Sequence, residues 1–97
     1  MPTYLALGRW TKEGVEKIKE SPSRLDAAKK AIEHAGGKVV SFYMLMGQYD
    51  LALVLEAPDD ASLARTSLAL VSKGGVRMET TRAFTEDEYR KVISAIS

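Results

Sequence analysis

The chain has 97 residues and a nearly balanced charge, with 14 Lys and Arg against 13 Asp and Glu. A chain of this length typically forms one domain, so we expect a single domain over residues 1–97. It has no cysteine, which excludes disulfides, thiolate nucleophiles, zinc–thiolate centres and iron–sulfur clusters. The formal net charge of +1 gives no electrostatic reason to expect a nucleic-acid partner or an anionic membrane.

The first residues, Met1–Leu5, lead directly into a strand pattern and lack the basic and long apolar regions of a signal peptide. No apolar run approaches the roughly 18 residues that a membrane span requires. A small domain without cysteine is also typical of a reducing compartment. We therefore expect a cytoplasmic protein with no membrane partner.

The first half of the chain predicts a strand, a short helix and a longer helix. Thr3–Arg9 alternates as a strand, in which we expect Leu5 and Leu7 to face a helix layer and Ala6 and Gly8 the opposite side. The short helix is predicted over Thr11–Glu20, capped by Thr11, and the longer one begins near Pro22. Its buried face is predicted to carry Leu25, Ala28, Ile32 and Ala35, and Gly36-Gly37 ends it.

A hairpin follows, with predicted strands Val39–Met46 and Tyr49–Glu56 joined by a tight turn at Gly47-Gln48. We expect Gly47 to adopt a left-handed backbone conformation in that turn. The second strand is the most apolar segment of the chain, which favours a place in the middle of the sheet. Its faces are predicted to be Leu51, Leu53 and Leu55 on one side, and Asp50, Ala52, Val54 and Glu56 on the other.

The last third predicts a helix, a polar strand and a terminal helix. Asp59 or Asp60 caps the first helix, whose buried stripe is predicted to be Ala61, Ala64, Leu68 and Val71, widened by Leu63 and Leu70. Val76–Phe84 alternates polar residues and suits a sheet edge. Thr85 and Glu88 form a capping box at the start of an amphipathic helix with Tyr89, Val92, Ile93 and Ile96 on one face.

The order β-α-β-β-α-β with a terminal helix predicts an α+β fold, a ferredoxin-like sandwich with a four-stranded antiparallel sheet in the spatial order 4-1-3-2. Both main helices then cover one sheet face and leave the other open. Because Ala52 and Val54 lie on the open face, either the terminal helix or a second chain must cover it. Two sheets packed face to face would make a dimeric α/β barrel, so the first expected partner is the chain itself, as a homodimer or higher homo-oligomer.

Several segments resemble the GYD family over essentially the whole chain. They are the turn Met46–Asp50, the following strand and Ala57–Asp60, the tail Thr81–Tyr89, and the opening Tyr4–Thr11 with Ile18–Asp26. The resemblance implies a ferredoxin-like chain paired as a dimeric α/β barrel. It implies no catalytic assignment, since the family has no established biochemical function.

Gly47, Tyr49 and Asp50 are the first candidate site residues. In a structural interpretation, Asp50 accepts hydrogen bonds from local backbone N–H groups and Tyr49 covers the end of the sheet. In a functional interpretation, Asp50 lies on the open face beside Tyr and Arg groups and binds a ligand or moves a proton.

His34 is the only histidine and is predicted in the last turn of a helix, where its cation suits the helix dipole. As a catalytic base it would need an orienting partner, and as a metal ligand it would need further ligands that the sequence does not supply. We predict neither a metal site nor a cofactor. The Gly36-Gly37 and Gly74-Gly75 pairs are helix stops, with no phosphate-binding motif.

Aromatic and methionine side chains form a second candidate group: Tyr4, Trp10, Phe42, Tyr43, Met44 and Met46. From this group and the turn, the predicted ligand-binding residues are Tyr4, Trp10, Tyr43, Gly47, Tyr49 and Asp50. They either line a cavity, between helices and sheet or between two sheets, or simply pack in the core and interface. Arg77, Glu79 and Arg82 are candidates for carboxylate or phosphate recognition, although charges on an edge strand commonly prevent aggregation.

Two functions remain open from the sequence. The first is a homo-oligomeric small-molecule-binding or assembly module without enzymatic activity. The second, implied by the barrel group, is a small cofactor-free monooxygenase- or isomerase-like enzyme with Asp50 as base, Tyr4, Tyr49 or His34 assisting, and aromatic walls. Whether the protein is an enzyme therefore depends on whether these side chains converge on a cavity.

Overall fold

A computed structural model describes residues 1–97. The strands are β1 (Thr3–Trp10), β2 (Lys38–Met44), β3 (Leu51–Glu56) and β4 (Val76–Ala83). The helices are α1 (Lys12–Glu16), α2 (Ser21–His34), α3 (Asp60–Val71) and α4 (Glu86–Ser94), and a 3-10 turn (Ile18–Glu20) joins α1 to α2. No helix combines the length and the apolar character needed to cross a membrane.

The four strands form one antiparallel sheet in the order β2-β3-β1-β4. This confirms the predicted ferredoxin-like α+β arrangement, with the apolar β3 inside and the polar β4 at an edge. The predicted caps are also present, because Thr11 Oγ1 accepts from Gly14 N–H and Asp59 Oδ1 accepts from Ser62 N–H. Helices α2 and α3 lie on the same face of the sheet, where the core forms.

The assignment of β1 to the two faces was wrong. Tyr4 and Ala6, both 4% exposed, face the helices and belong to the core, whereas Leu5 is 36% exposed. The β1–β3 register explains this, because Leu5 pairs with Val54 and Leu7 with Ala52. Directly paired residues share a face, so the two leucines lie on the open face and the small residues allow the helices to approach the sheet.

The predicted stripe of α3 was also wrong in part. Ala61, Ala64 and Leu68 are exposed, Leu68 by 71%, whereas Leu63 is buried and Leu70 half-buried. The helix has two apolar stripes that compete for the sheet. The buried one carries two leucines, Leu63 and Leu70, whereas the exposed one carries two alanines and a single leucine, so burying the first removes more apolar area. That orientation also brings Ser62 Oγ to 3.4 Å from the carbonyl oxygen of Ala35, the residue that follows α2.

The connection between β2 and β3 is a six-residue loop, 45–50, and not the predicted two-residue turn. The loop is closed by a hydrogen bond of 2.7 Å from Leu45 N–H to the carbonyl oxygen of Asp50. The prediction of a left-handed Gly47 was wrong, since positive φ occurs only at Gly36, Gly74 and Gly75. A longer loop spreads the reversal over more residues, so no positive φ is needed at Gly47.

Helix α4 projects away from the rest of the molecule. None of its residues is buried, and the molecule extends 53 × 30 × 17 Å. The radius of gyration is 14.6 Å, larger than the roughly 12.5 Å of a compact chain of this length. The start of α4 is fixed by the predicted capping box and by an ion pair between Arg82 and Glu88 at 3.6 Å. The terminal helix therefore does not cover the open sheet face.

Candidate functional site

The predicted ligand-binding residues lie on both sides of the sheet. Tyr4 and Trp10 pack with the core on the helix side. Tyr43 pairs with Ala52 and so lies on the open face, where it is 60% exposed. Gly47 is exposed in the loop. Because side chains alternate along a strand, these residues do not form one pocket within the chain.

Asp50 holds the end of β3 against β1. Its N–H donates to the carbonyl oxygen of Gly8 at 2.8 Å, and its Oδ2 accepts from the backbone N–H of Trp10 at 2.9 Å. The side chain thus supplies the acceptor for a strand N–H that lies beyond the last β1–β3 pair, Gly8 with Leu51. This geometry gives Asp50 a structural role, as a carboxylate that extends the strand pairing by one residue.

Tyr49 lies in a charged cluster on the open face, which we call the Arg9–Tyr49–Glu79 cluster. The Tyr49 hydroxyl donates to Glu79 Oε2 at 2.7 Å, and the Arg9 guanidinium lies 4.5 Å from the centre of the Tyr49 ring. Arg9 Nε also donates to the carbonyl oxygen of Gln48 at 2.9 Å. The hydrogen bond to Glu79 raises the pKa of Tyr49 above its usual range, with desolvation and the Glu79 charge acting in the same direction and Arg9 opposing them. The phenol is therefore held as a proton donor and not as a base.

The sequence identified Tyr49 and Glu79 as separate candidates but missed Arg9. The β1–β4 pairing of Leu7 with Glu79 and Arg9 with Arg77 places these polar side chains on one face. The sequence gives no direct signal for this cluster, because it depends on strand register and on the path of the 45–50 loop.

His34 lies far from Asp50 along the sheet. It is exposed in the last turn of α2, just before β2 begins at Lys38, and Lys38 pairs with Glu56. Asp50 lies at the other end of β3, next to Leu51. The chain therefore does not bring the candidate base and the candidate histidine together. No group of three or more His, Asp or Glu side chains is arranged to hold a metal ion.

On the helix side, the edge of the sheet carries a second polar group. The Tyr4 hydroxyl donates a hydrogen bond to Asp60 Oδ1, which raises the pKa of Tyr4 above its usual range. Arg82 lies over the Tyr4 ring at 5.9 Å and over the Phe84 ring at 4.6 Å. Its guanidinium also donates to the carbonyl oxygen of Thr3 at 3.1 Å. Arg82 thus holds β4 and the segment before α4 in place, and it lies on the opposite face from Arg77 and Glu79.

A cavity of about 380 Å³ lies between the sheet and helices α2 and α3. Its walls are mostly apolar, with Trp10 and Phe42 contributed by the strands and Leu25 and Leu70 by the helices. Of the predicted aromatic and methionine group, only Trp10 and Phe42 line it. The sequence predicted the apolar faces of β3 and α2 that form other walls, such as Leu53, Leu25 and Ile32, but it did not show that α3 contributes only the Leu63 and Leu70 side of its predicted stripe.

The opposite sheet face is an open, mainly apolar surface. Its central positions are Leu5, Leu7, Ala52 and Val54, flanked by Tyr43 and Thr81. The Arg9–Tyr49–Glu79 cluster borders this surface at the end where the 45–50 loop lies. Such a surface suits contact with another apolar surface, with the charged cluster available for orientation.

Comparison with known proteins gives relatives over most of the chain. The GYD domain model matches residues 4–93. A protein of Thermus thermophilus named glutamine synthetase and cystathionine beta-lyase binding protein is 37% identical over 84 residues, which are 86% of this chain and 88% of that protein.

Solved structures agree with the fold. The crystal structure of TTHA0845, also from Thermus thermophilus, has a TM-score of 0.56 and 28% identity, and the match covers 88% of this chain and 95% of that one. The leucine response regulatory protein of Mycobacterium tuberculosis has a TM-score of 0.56 and 17% identity, with 87% of this chain matching 51% of that one. At that identity the second likeness concerns the fold alone. From the family match and the relative of 37% identity, the chain belongs to the GYD domain family.

Proposed function

We propose that this protein is a homo-oligomeric binding module that assembles through its open sheet face and docks on a partner enzyme through α4. The observation that carries the proposal is that two separate apolar surfaces of the chain have no partner within it. One surface serves self-association, and the other serves the second protein.

The open sheet face supports self-association. Leu5 is 36% exposed and Tyr43 60% exposed, because both lie on the face of the sheet that points away from the core. A flat apolar face of this kind is complementary to a second copy of itself, which gives an isologous interface. The Arg9–Tyr49–Glu79 cluster at its border carries both charge signs, which favours one relative orientation of the two copies.

Helix α4 supports docking on a second protein. Its exposed apolar side chains are Tyr89 (57%), Val92 (50%) and Ile93 (48%), and Ile96 (69%) follows just beyond the last helical residue, Ser94. The spacing of i, i+3 and i+4 within the helix is the pattern by which an amphipathic helix binds a hydrophobic groove. A helix of nine residues is marginal in water without such packing, so contact with a partner would stabilise it.

The relative from Thermus thermophilus suggests the class of partner. That protein is named for binding glutamine synthetase and cystathionine beta-lyase, and it matches this chain over most of both lengths. We infer that the partner here is an enzyme of one of these two classes. An enzymatic function for this chain has less support, since Asp50 serves strand pairing and His34 lies at the other end of the sheet.

Native mass spectrometry with a substituted open face tests the assembly. Val54→Asp places a carboxylate at the centre of the open face, so we expect the oligomer to dissociate or the chain to unfold. Ala64→Asp, on the exposed side of α3, is the matched control and should leave the oligomer unchanged. A folded Val54→Asp variant with the wild-type oligomer mass would refute the proposed interface.

Biolayer interferometry tests the docking. The immobilised enzymes are the glutamine synthetase and the cystathionine β-lyase of the organism that produces this protein. Ile93→Asp interrupts the stripe and should weaken binding by about tenfold or more while the oligomer mass stays unchanged. Ser94→Asp adds the same charge to the neighbouring polar side of α4 and is the control. Equal binding by Ile93→Asp and the wild type, or no binding of either enzyme, would overturn this part of the proposal.

A further inference from the structure

We propose that the cavity between the sheet and helices α2 and α3 binds an amphipathic carboxylate, whose apolar body fills the cavity and whose carboxylate is held by Arg24. This site lies on the side of the sheet opposite the proposed assembly face. It goes beyond the proposed function, because neither self-association nor docking of α4 requires a small molecule.

The size and walls of the cavity suit an apolar ligand body. Its volume of about 380 Å³ lies within the range of small-molecule sites, roughly 300–1,000 Å³. Leu53 and Leu55 of the sheet face Leu25, Ile32 and Leu63 of the helices across it. Protein interiors are normally close-packed, and side chains beside an unfilled space lose dispersion contacts. An apolar occupant would restore these contacts and stabilise the fold.

The charged residues of the lining predict the charge of the ligand. Arg24 and Lys73 line the cavity, and no Asp or Glu does so. Glu13 is not part of the lining, and its carboxylate lies between Gly74 and Lys17, with Oε1 3.8 Å from Lys17 Nζ. An anionic group is therefore favoured at this end, and the apolar walls favour a neutral remainder.

The position of Arg24 depends on the glycine at position 75. The Gly75 backbone has φ +90°, and a Cβ built there would overlap Arg24 Nη1. A side chain at position 75 would therefore displace the guanidinium from the cavity wall. The carbonyl oxygen of Gly75 also accepts from Thr11 N–H at 3.1 Å, which fixes this loop. The ion pairs of the chain do not include Arg24, so its fork of donors is available to a carboxylate.

Trp10 provides a direct measure of occupancy. It is the only tryptophan of the chain and it lines the cavity. A ligand that displaces water from this indole changes its fluorescence. Titration of the full-length protein with decanoate, below its micelle concentration, should change the Trp10 emission and raise the Tm. Decanol, which has the same chain without the charge, should bind about tenfold more weakly.

Two substitutions separate the parts of the site. Arg24→Gln should lower the affinity for decanoate by about tenfold and leave that for decanol unchanged. Ala28→Phe fills the cavity and should abolish the binding of both probes. Arg65→Gln removes an exposed cation of α3 outside the cavity and is the matched control.

The two probes separate the cavity from the carboxylate assignment. No change in fluorescence or Tm with either probe would overturn the cavity as a ligand site. Equal binding of both probes, unaffected by Arg24→Gln, would overturn the carboxylate assignment. The Ile93→Asp variant should bind decanoate like the wild type, so failure of the docking proposal and failure of this one can be told apart.

Discussion

The carboxylate of Asp50 and the backbone N–H of Trp10 are joined by a hydrogen bond of 2.9 Å. The bond connects the loop before β3 to the end of the neighbouring strand β1. Trp10 extends from this point into the cavity, while Tyr49, the preceding residue of the loop, lies on the open face in the Arg9–Tyr49–Glu79 cluster. Two residues adjacent in the sequence thus serve both faces of the sheet: Asp50 holds Trp10 at the cavity, and Tyr49 belongs to the cluster beside the open face.

Replacement of Asp50 should measure this hydrogen bond. Asp50→Ala removes the acceptor and leaves the N–H of Trp10 unpaired, so we expect the free energy of unfolding to fall by about 1.5–3 kcal/mol. Asp50→Asn retains a carbonyl oxygen and should lose less than half as much. Urea denaturation measures both values, and equal losses for the two variants would show that the acceptor is not the cause.

Two glycines should differ sharply in their tolerance of alanine. A Cβ at Gly14 would overlap the carbonyl oxygen of Gly75, whereas a Cβ at Gly47 would meet nothing within 4 Å. We expect Gly14→Ala to destabilise the protein by about 2 kcal/mol or more, and Gly47→Ala to change stability by less than about 0.5 kcal/mol. Thermal denaturation compares them. A large loss for Gly47→Ala would reveal a contact that the isolated chain does not contain.

The hydrogen bond of the Tyr4 hydroxyl should make the stability of the fold depend on pH in the alkaline range. This bond to Asp60 raises the pKa of Tyr4 above the usual value of 10.0 in the folded state. The bond therefore contributes fully at pH values below the unfolded pKa, and the contribution is lost as the pH rises through the folded pKa. Tyr4→Phe should lower the Tm by several degrees near neutral pH, and the difference from wild type should shrink above about pH 10.

The control for this experiment is Tyr89→Phe, because Tyr89 is exposed on α4. Its Tm should follow the wild type over the whole pH range. A constant difference between Tyr4→Phe and the wild type up to the highest pH would contradict the role given to the phenol proton.

The capping box predicts a dependence on acidic pH that is confined to α4. Glu88 accepts from the Thr85 backbone N–H at 2.9 Å, and this bond lowers the pKa of Glu88 below its usual value of 4.5, with partial desolvation opposing the shift. The stabilisation is present above the unfolded pKa and lost as the pH falls through the lower folded pKa. The protection factors of the α4 amides, corrected for the intrinsic pH dependence of exchange, should fall over that range while the sheet amides stay protected.

Glu88→Gln provides the comparison, because the glutamine amide oxygen can accept the same hydrogen bond at every pH. Its α4 exchange should lose the acidic transition, whereas Glu86→Gln should keep it. An unchanged transition in Glu88→Gln would assign the effect to another carboxylate.

The fold could be predicted because its signals are local. The capping residues Thr11, Asp59 and Thr85, the Gly36 and Gly74 helix ends and the apolar β3 each depend on a few neighbouring residues. The candidate site could be predicted only as single residues. Gly47, Tyr49 and Asp50 were recognised as a motif, but their partners Arg9, Trp10 and Glu79 come from other strands.

The sequence by itself determined the order of strands and helices, the sheet order and the family. The tertiary structure decided which face each side chain occupies, since β1 and α3 each offer two plausible apolar faces and only packing against the rest of the chain selects one. For β1, the pairing of Leu5 with Val54 places the leucines on the open face. For α3, burial of Leu63 leaves Leu68 in solvent. Periodicity specifies the spacing of a face but not its direction, and that direction produces both the cavity and the open sheet face.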